Sequence, residues 1–263
     1  MVRWTQQPQH RLRAGSSNVK YSDIRVMNPS RGLNVLVVDD DPQGNASTAL
    51  GASRDEDVAT LYDVLVGNVT MRDAMQPTEK LENLFVVPSS INLSLVDVEL
   101  ADQDDRMTRL RDTLREGLAA TAAEGMPFDY VFIDCPPSMS LLPINALIAA
   151  KEVLIPVQTE YYALEGLTQL LHTIEGASAS HNPELRVSTI LLTMSSKNTN
   201  LSAEVAENVR DYFPEQTLET EIPRSVRIAE SPSYGETVIT FAPRSSGAIA
   251  YLAAAHELAN RAE

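Results

Sequence analysis

The chain holds 263 residues in 28.8 kDa, enough for one large domain or two small ones. Its 43% hydrophobic content can build a sizeable core, and a formal charge of −15 excludes a surface coated in DNA-binding positive charge, though not a local basic patch. A single cysteine, Cys135, excludes an internal disulfide framework and a four-cysteine zinc site and fits a reducing cytoplasm.

No apolar run reaches the roughly 18 residues that a membrane span needs. The N-terminus has no apolar core of the kind a secretory signal carries. Residues 1–31 are unusual in another way: Arg3, Arg11, Arg13, Lys20, Arg25 and Arg31 face one acid, Asp23. This start reads as a disordered basic arm, a transit-like leader, or a segment that does not belong to the domain behind it. The expected organisation is a basic segment over 1–31 without fixed structure and one domain over 32–263.

From Gly32 onward the pattern alternates between strands and helices. "LNVLVVD" (33–39) is a short apolar run bounded by Gly and Pro, a strand buried on both faces. "VATLYDVLVG" (58–67) has a helical stripe and stops at glycine. "NLFVVPSS" (83–90) is a second strand running into serines. Met107, Leu110, Leu114 and Leu118 mark the apolar face of a helix. "FDYVFIDCPPS" (128–138) is a strand ending in Asp134 and broken by Pro136 and Pro137. "EVLIPVQ" (152–158) and "RVSTILLTM" (186–194) are further strands, and 202–213 and 247–262 are helices, the first capped by Asn200 or Ser202. Such alternation predicts an α/β domain: a mostly parallel sheet covered by helices on both faces. Ligands of such sheets sit beyond the carboxyl ends of the strands, where Asp39, Asp40, Asp41, Ser89, Ser90 and Asp134 fall.

The segments "VLVVDDDPQGNASTALG", "FDYVFIDCPPS", "LIPVQTEYYALEGL", "TNLSAEV", "IPRSVRIAESPS" and "APRSSGAIAYLAAAHEL" resemble the ParA/Soj family of deviant P-loop partition ATPases, in that family's order and spacing. The resemblance runs from Gly32 to about Leu258. It implies a P-loop NTPase-like fold of ParA/MinD type and a function in chromosome or plasmid partition with a ParB-like partner. It also implies ATP and magnesium as cofactors, a nucleotide-bound homodimer that binds non-specific DNA, and a cytoplasmic, nucleoid-associated location with no membrane contact.

Carried over residue by residue, the resemblance implies that Asp41 positions the attacking water. Asp39 and Asp134 would hold the magnesium hydration shell from two strand ends, and Pro232 would close the adenine pocket. Arg227, with Arg224 close by, falls on the DNA-contacting segment. A second family arginine is replaced by Asn198, which leaves Lys197 as its substitute; a lysine can meet phosphate as a point charge but not bidentately. Phosphoryl transfer needs positioned water, a metal and positive charge on the phosphates. Carboxylates supply only the first two. Cys135 reads as packing.

The family's K-G-G-V-G-K-T-T loop has no counterpart. None of Lys20, Lys80, Lys151 and Lys197 follows a glycine, so no G-K-[ST] occurs. In "GSSNVKYS" (15–22), Val19 stands for a glycine and Tyr21 for the hydroxyl residue. A Cβ at Val19 resists the turn that presents N–H groups to phosphate. "DIRVMN" (23–28) resembles the end of the family's first strand, but a crossover to a parallel neighbour needs a dozen or more residues. The segment is expected to pair antiparallel or to lie outside the sheet. Residues 1 to about 31 are therefore expected not to be the family's N-terminus, whether through a misplaced start, a frameshift or a truncation. A P-loop contributes five or six hydrogen bonds to charged oxygens, each roughly 1.5–3 kcal/mol, about 8 kcal/mol or more together. A micromolar ligand has only about 8 kcal/mol in all.

Two functions follow: a ParA-type ATPase, or a non-enzymatic pseudo-ATPase or truncated relative that binds partners but not ATP. Other members of the superfamily fit worse. One cysteine cannot share a nitrogenase-type cluster. The end "YLAAAHELANRAE" is not a basic membrane helix, and Asp39–Asp41 stand where a dinucleotide-binding fold wants glycines.

Overall fold

The computed structural model describes residues 2–4, 13–16, 32–53, 57–78, 82–137, 140–196 and 199–261. Its strands are β1 (Val2–Trp4), β2 (Arg13–Ser16), β3 (Val35–Asp39), β4 (Gln76–Pro77), β5 (Leu84–Val87), β6 (Tyr130–Cys135), β7 (Glu152–Gln158) and β8 (Arg186–Thr193). They form one sheet in the order β4-β5-β3-β6-β1-β2-β7-β8. The long apolar strands all run parallel, and the two-residue β4 closes one edge antiparallel to β5.

Alternation along the strands explains the two layers. Leu36, Val38, Val131, Ile133, Val153 and Ile155 point to one face. There they meet α2 (Leu61–Val66), α4 (Arg109–Ala123), α5 (Leu141–Ala149), α6 (Ala163–Ser180) and α7 (Asn200–Tyr212). Val35, Val37, Phe132, Leu154 and Leu191 point to the other, under α1 (Asn45–Leu50) and α10 (Ser246–Asn260). Both faces are covered, so the strands carry no polar alternation. The mostly parallel sheet with helices on both faces is the one the sequence predicts. The remaining helices are short: α3 (Val96–Glu99), α8 (Val226–Glu230) and α9 (Val238–Phe241).

Two details differ from expectation. Residues 1–31 were expected to lack fixed structure, yet β1 and β2 both lie in the slot between β6 and β7. β2 runs parallel to them, with Gly15 opposite Asp134 and Ser16 opposite Cys135; β1 is antiparallel. Two buried strands flanking a gap present unpaired backbone groups, and an extended segment that reaches the gap satisfies them. "DIRVMN" and most of "GSSNVKYS" lie outside the described residues. β2 meets β7 only at Glu152 and Val153. Further along, Ile155 and Val157 line an apolar cleft of 870 Å³ together with Cys135, Leu147 and Leu167. The second difference is the cap of α7, which is Thr199 and not Asn200 or Ser202. The Ser202 hydroxyl is occupied elsewhere, 2.7 Å from the Thr159 hydroxyl and accepting from the Ser196 N–H at 3.0 Å.

One close approach sets a measurable limit on packing. A Cβ on Gly117 of α4 would stand 2.7 Å from the Met71 Cβ. Replacing a helical glycine by alanine gains about 1 kcal/mol of helix propensity. Overpacking against a backbone-proximal atom costs roughly 1–3 kcal/mol. Gly117→Ala is therefore expected to lower stability by about 1 kcal/mol. A urea midpoint above that of the parent chain would show that Met71 yields freely.

Candidate functional site at the carboxyl edge of the sheet

β3 and β6 are in register from Val35 opposite Tyr130 to Asp39 opposite Asp134. The Asp40 N–H extends the ladder one step, donating to the Asp134 carbonyl at 2.8 Å. Both strands thus end in carboxylates at the same level, and Asp39, Asp40, Asp41 and Asp134 are all buried. The three acids singled out in the sequence as catalytic or magnesium-associated are brought together here.

Each acid is held differently. The Asp39 Oδ2 accepts from both the N–H and the hydroxyl of Ser47 at 2.6 Å. That hydroxyl in turn accepts from the Ser89 N–H at 3.0 Å, and the Ser89 hydroxyl donates to the Asp41 carbonyl. The ends of β3 and β5 and the start of α1 are therefore one hydrogen-bonded unit. The Asp41 Oδ1 accepts from the Gln43 N–H at 3.0 Å, which closes the Pro-Gln-Gly turn. Gly44 follows with φ +65°, a left-handed conformation that favours glycine, and its N–H bonds the Asp41 carbonyl at 2.8 Å.

Asp40 is the acid of the strand end to which the sequence reading gave no role. It is fully buried, and among the described residues neither carboxylate oxygen has a hydrogen-bond partner. Burial drives its pKa well above the ordinary carboxylate range, and the charges of Asp39, Asp134 and Asp41 add to the rise. Burial also pushes Asp39 up to about 6, against the bonds from Ser47 that pull it down. The available signal was an acid at a position inside a buried strand end, where an apolar side chain is the physical default. Cys135 packs in the core as expected, and burial raises its thiol.

The remaining candidates lie apart from this cluster. Arg224 and Arg227 flank the start of α8 and pair with Glu160 and Glu230, not with the cluster. Their segment is docked on the end of β8 by the Arg224 N–H, which donates to the Ser195 carbonyl at 2.9 Å. Glu221, held by Arg210 at 2.7 Å, takes the Ser195 hydroxyl. Lys197 lies outside the described residues. Pro232 is exposed in the short 3-10 turn Ser231–Tyr234. That turn ends at Gly235, whose Cβ position is 3.8 Å from the Thr48 carbonyl, so it borders α1, the helix that holds Asp39.

The donor set decides which cofactor fits. Carboxylate oxygens suit a hard cation such as magnesium, which keeps most of its own water. The unpartnered Asp40 is the charge such an ion would compensate. Among the described residues no three acids, histidines or cysteines converge into a ready-made cage, so contact through bound water is the fitting arrangement.

The raised acids carry a pH signature. An acid whose pKa rises on folding supports the folded state only below its unfolded pKa near 4. That support is lost as pH climbs through the folded value. For Asp39, the rise from 3.8 to about 6 corresponds to about 3 kcal/mol. Asp40→Asn is therefore expected to stabilise the chain by at least about 1 kcal/mol near pH 8, and by less near pH 4. Urea unfolding across that range, without divalent ions, measures it. A variant less stable at the alkaline end would overturn the assignment of Asp40 as an uncompensated acid.

Comparison with known proteins matches this architecture. The model of the AAA domain matches residues 24–187. The chain is 47% identical over 226 residues to the chromosome partitioning protein ParA of Myxococcus xanthus, covering 86% of this chain and 77% of that protein. It is 44% identical over 228 residues to the sporulation initiation inhibitor protein Soj of Bacillus subtilis, covering 87% of each. Among solved structures, cobyrinic acid a,c-diamide synthase from Mycobacterium smegmatis with bound ADP and magnesium superposes with a TM-score of 0.73 at 30% identity, over 94% of this chain and 92% of that one. The cell division ATPase MinD of Pyrococcus furiosus gives 0.71 at 25% identity, over 94% and 98%. The chain belongs to the ParA/Soj family of chromosome-partitioning proteins.

Proposed function

We propose that this member of the family acts in partition through DNA and a ParB-like partner, and that its sheet edge keeps the metal-and-water half of an ATPase site without a phosphate-holding half. The observation that carries the proposal is the cluster of four buried acids at the ends of β3 and β6, with the Asp40 carboxylate unpartnered among the described residues. Asp39 and Asp134 would hold a hydrated magnesium ion, and Asp41 would orient water. The ion would supply positive charge against phosphate oxygens. Without it the same acids repel a nucleotide. Arg224 and Arg227, exposed beside α8, are assigned to DNA phosphate. Pro232 is assigned to the border of a nucleotide pocket. By kinship the assembly is a homodimer on nucleoid DNA in the cytoplasm, and a plasmid is the alternative replicon.

A working ATPase is the second reading. It is favoured by kinship with proteins such as the chromosome-partitioning ATPase Soj of Thermus thermophilus, 41% identical over 232 residues. Against it stand the lack of a G-K-[ST] in these 263 residues and the unpartnered, buried Asp40. Calorimetric titration of the 263-residue chain with Mg-ATP separates the two. No binding up to millimolar nucleotide is expected. Micromolar binding that disappears in Asp134→Ala would mean that another part of the chain cradles the phosphates, and the proposal would be wrong.

A further inference from the structure

We infer that Glu160 is an intramolecular substitute for DNA phosphate: it latches Arg224, and a duplex must displace it to gain that arginine. The inference rests on the assignment of Arg224 to DNA. A guanidinium pairs with carboxylate and phosphate through the same planar fork, so the two oxyanions compete for one site. Both partners are more than half exposed, at 60% and 54% of their side chains, so the exchange requires no unfolding.

The two arginine pairs are not equivalent. Arg227 pairs with Glu230 three residues along the same short helix, at 3.2 Å, and the pair moves with that helix. Arg224 reaches across 64 residues of sequence to Glu160, two positions past the end of β7. Its own segment is fixed to the end of β8 through Ser195. The latch therefore joins two neighbouring strand ends at the edge that also carries Asp39 and Asp134. Beside Glu160, Thr159 ties β7 back to β8, its N–H donating to the Thr193 carbonyl at 3.0 Å. A displacement of one strand end relative to the other opens the Arg224 pair and leaves the Arg227 pair intact.

Magnitude limits what the latch does. Exposed ion pairs are worth about 0.2–1 kcal/mol, so release changes DNA affinity a few-fold and does not act as an on–off switch. In a chain of charge −15, removing any acid also helps DNA binding slightly through the long-range field, and that effect needs its own control.

The test is fluorescence anisotropy of a labelled random-sequence duplex with the full chain at low salt, in the presence of Mg-ATP. Glu160→Gln is expected to tighten binding about two- to fivefold. Glu175→Gln, which neutralises an exposed acid paired with His172, should give a smaller gain. Arg224→Ala should weaken binding, and the gain from Glu160→Gln should vanish in that background. A gain that survives in the Arg224→Ala background, or one no larger than that of Glu175→Gln, overturns the latch while leaving the DNA assignment in place. Equal binding by the parent chain and Arg224→Ala overturns the assignment of Arg224 to DNA and the latch with it. Absence of duplex binding by every variant does the same for both.

Discussion

Five register pairs hold β3 against β6, and the N–H of Asp40 carries the ladder onto the Asp134 carbonyl. This pairing forces carboxylates from two strands to the same depth in a region closed to water. Everything around it answers that constraint. Ser47 donates twice to Asp39, Ser89 braces Ser47 and the Asp41 carbonyl, and the left-handed Gly44 lets the chain turn directly into α1. These bonds neutralise part of the charge on Asp39. None reaches the Asp40 carboxylate. The edge is well ordered in its backbone and electrostatically incomplete in its side chains, an arrangement more typical of a binding site than of a structural core.

The sequence carried the parts that rest on local rules. The short apolar runs 35–38, 130–133 and 153–157, bounded by turn residues, read as strands covered on both sides, and the acids that follow the first two mark the ligand edge. What escaped depends on distant partners. The slot between β6 and β7 exists only once the sheet is assembled, so nothing in "VRW" or "RAGS" announces a strand there. Ser202 looks like a helix cap, until Thr159, 43 residues away, takes its hydroxyl. Glu160 follows a strand and carries no motif of its own; its meaning comes from Arg224. Asp40 was visible as an acid at the strand end, but its lack of a partner depends on the burial that the assembled sheet imposes.

The arginines show how net charge and local pairing separate. A net charge of −15 disfavours approach to DNA within the screening length, so any attraction has to come from a local patch of positive charge. Arg210 and Arg261 are spent on holding structure: one grips Glu221, and the other bonds the carbonyls of Glu215 and Thr217 and the Glu257 carboxylate. Arg224 and Arg227 are more exposed than either, and their partners are acids that a phosphate can replace. Of these four arginines, the two that are free to exchange partners sit on one turn beside the sheet edge.

That placement links the two halves of the surface energetically. Asp39 and Asp40 disfavour the folded state as pH rises above their unfolded values, because the folded chain must keep their protons or accept repulsion. A hydrated divalent ion would remove that penalty without moving the backbone, since the oxygens it needs already stand at the two strand ends. Its arrival would change the electrostatic balance at the ends of β3 and β6, one slot away from the β7 terminus that carries Glu160. The chain thus places a cluster of buried acids and a pair of acid-bound arginines at strand ends of one sheet, and a charge added to the first changes the field at the second. Coupling of this kind requires no hinge and no moving domain. It needs only that both groups stay where the parallel register of the strands has put them.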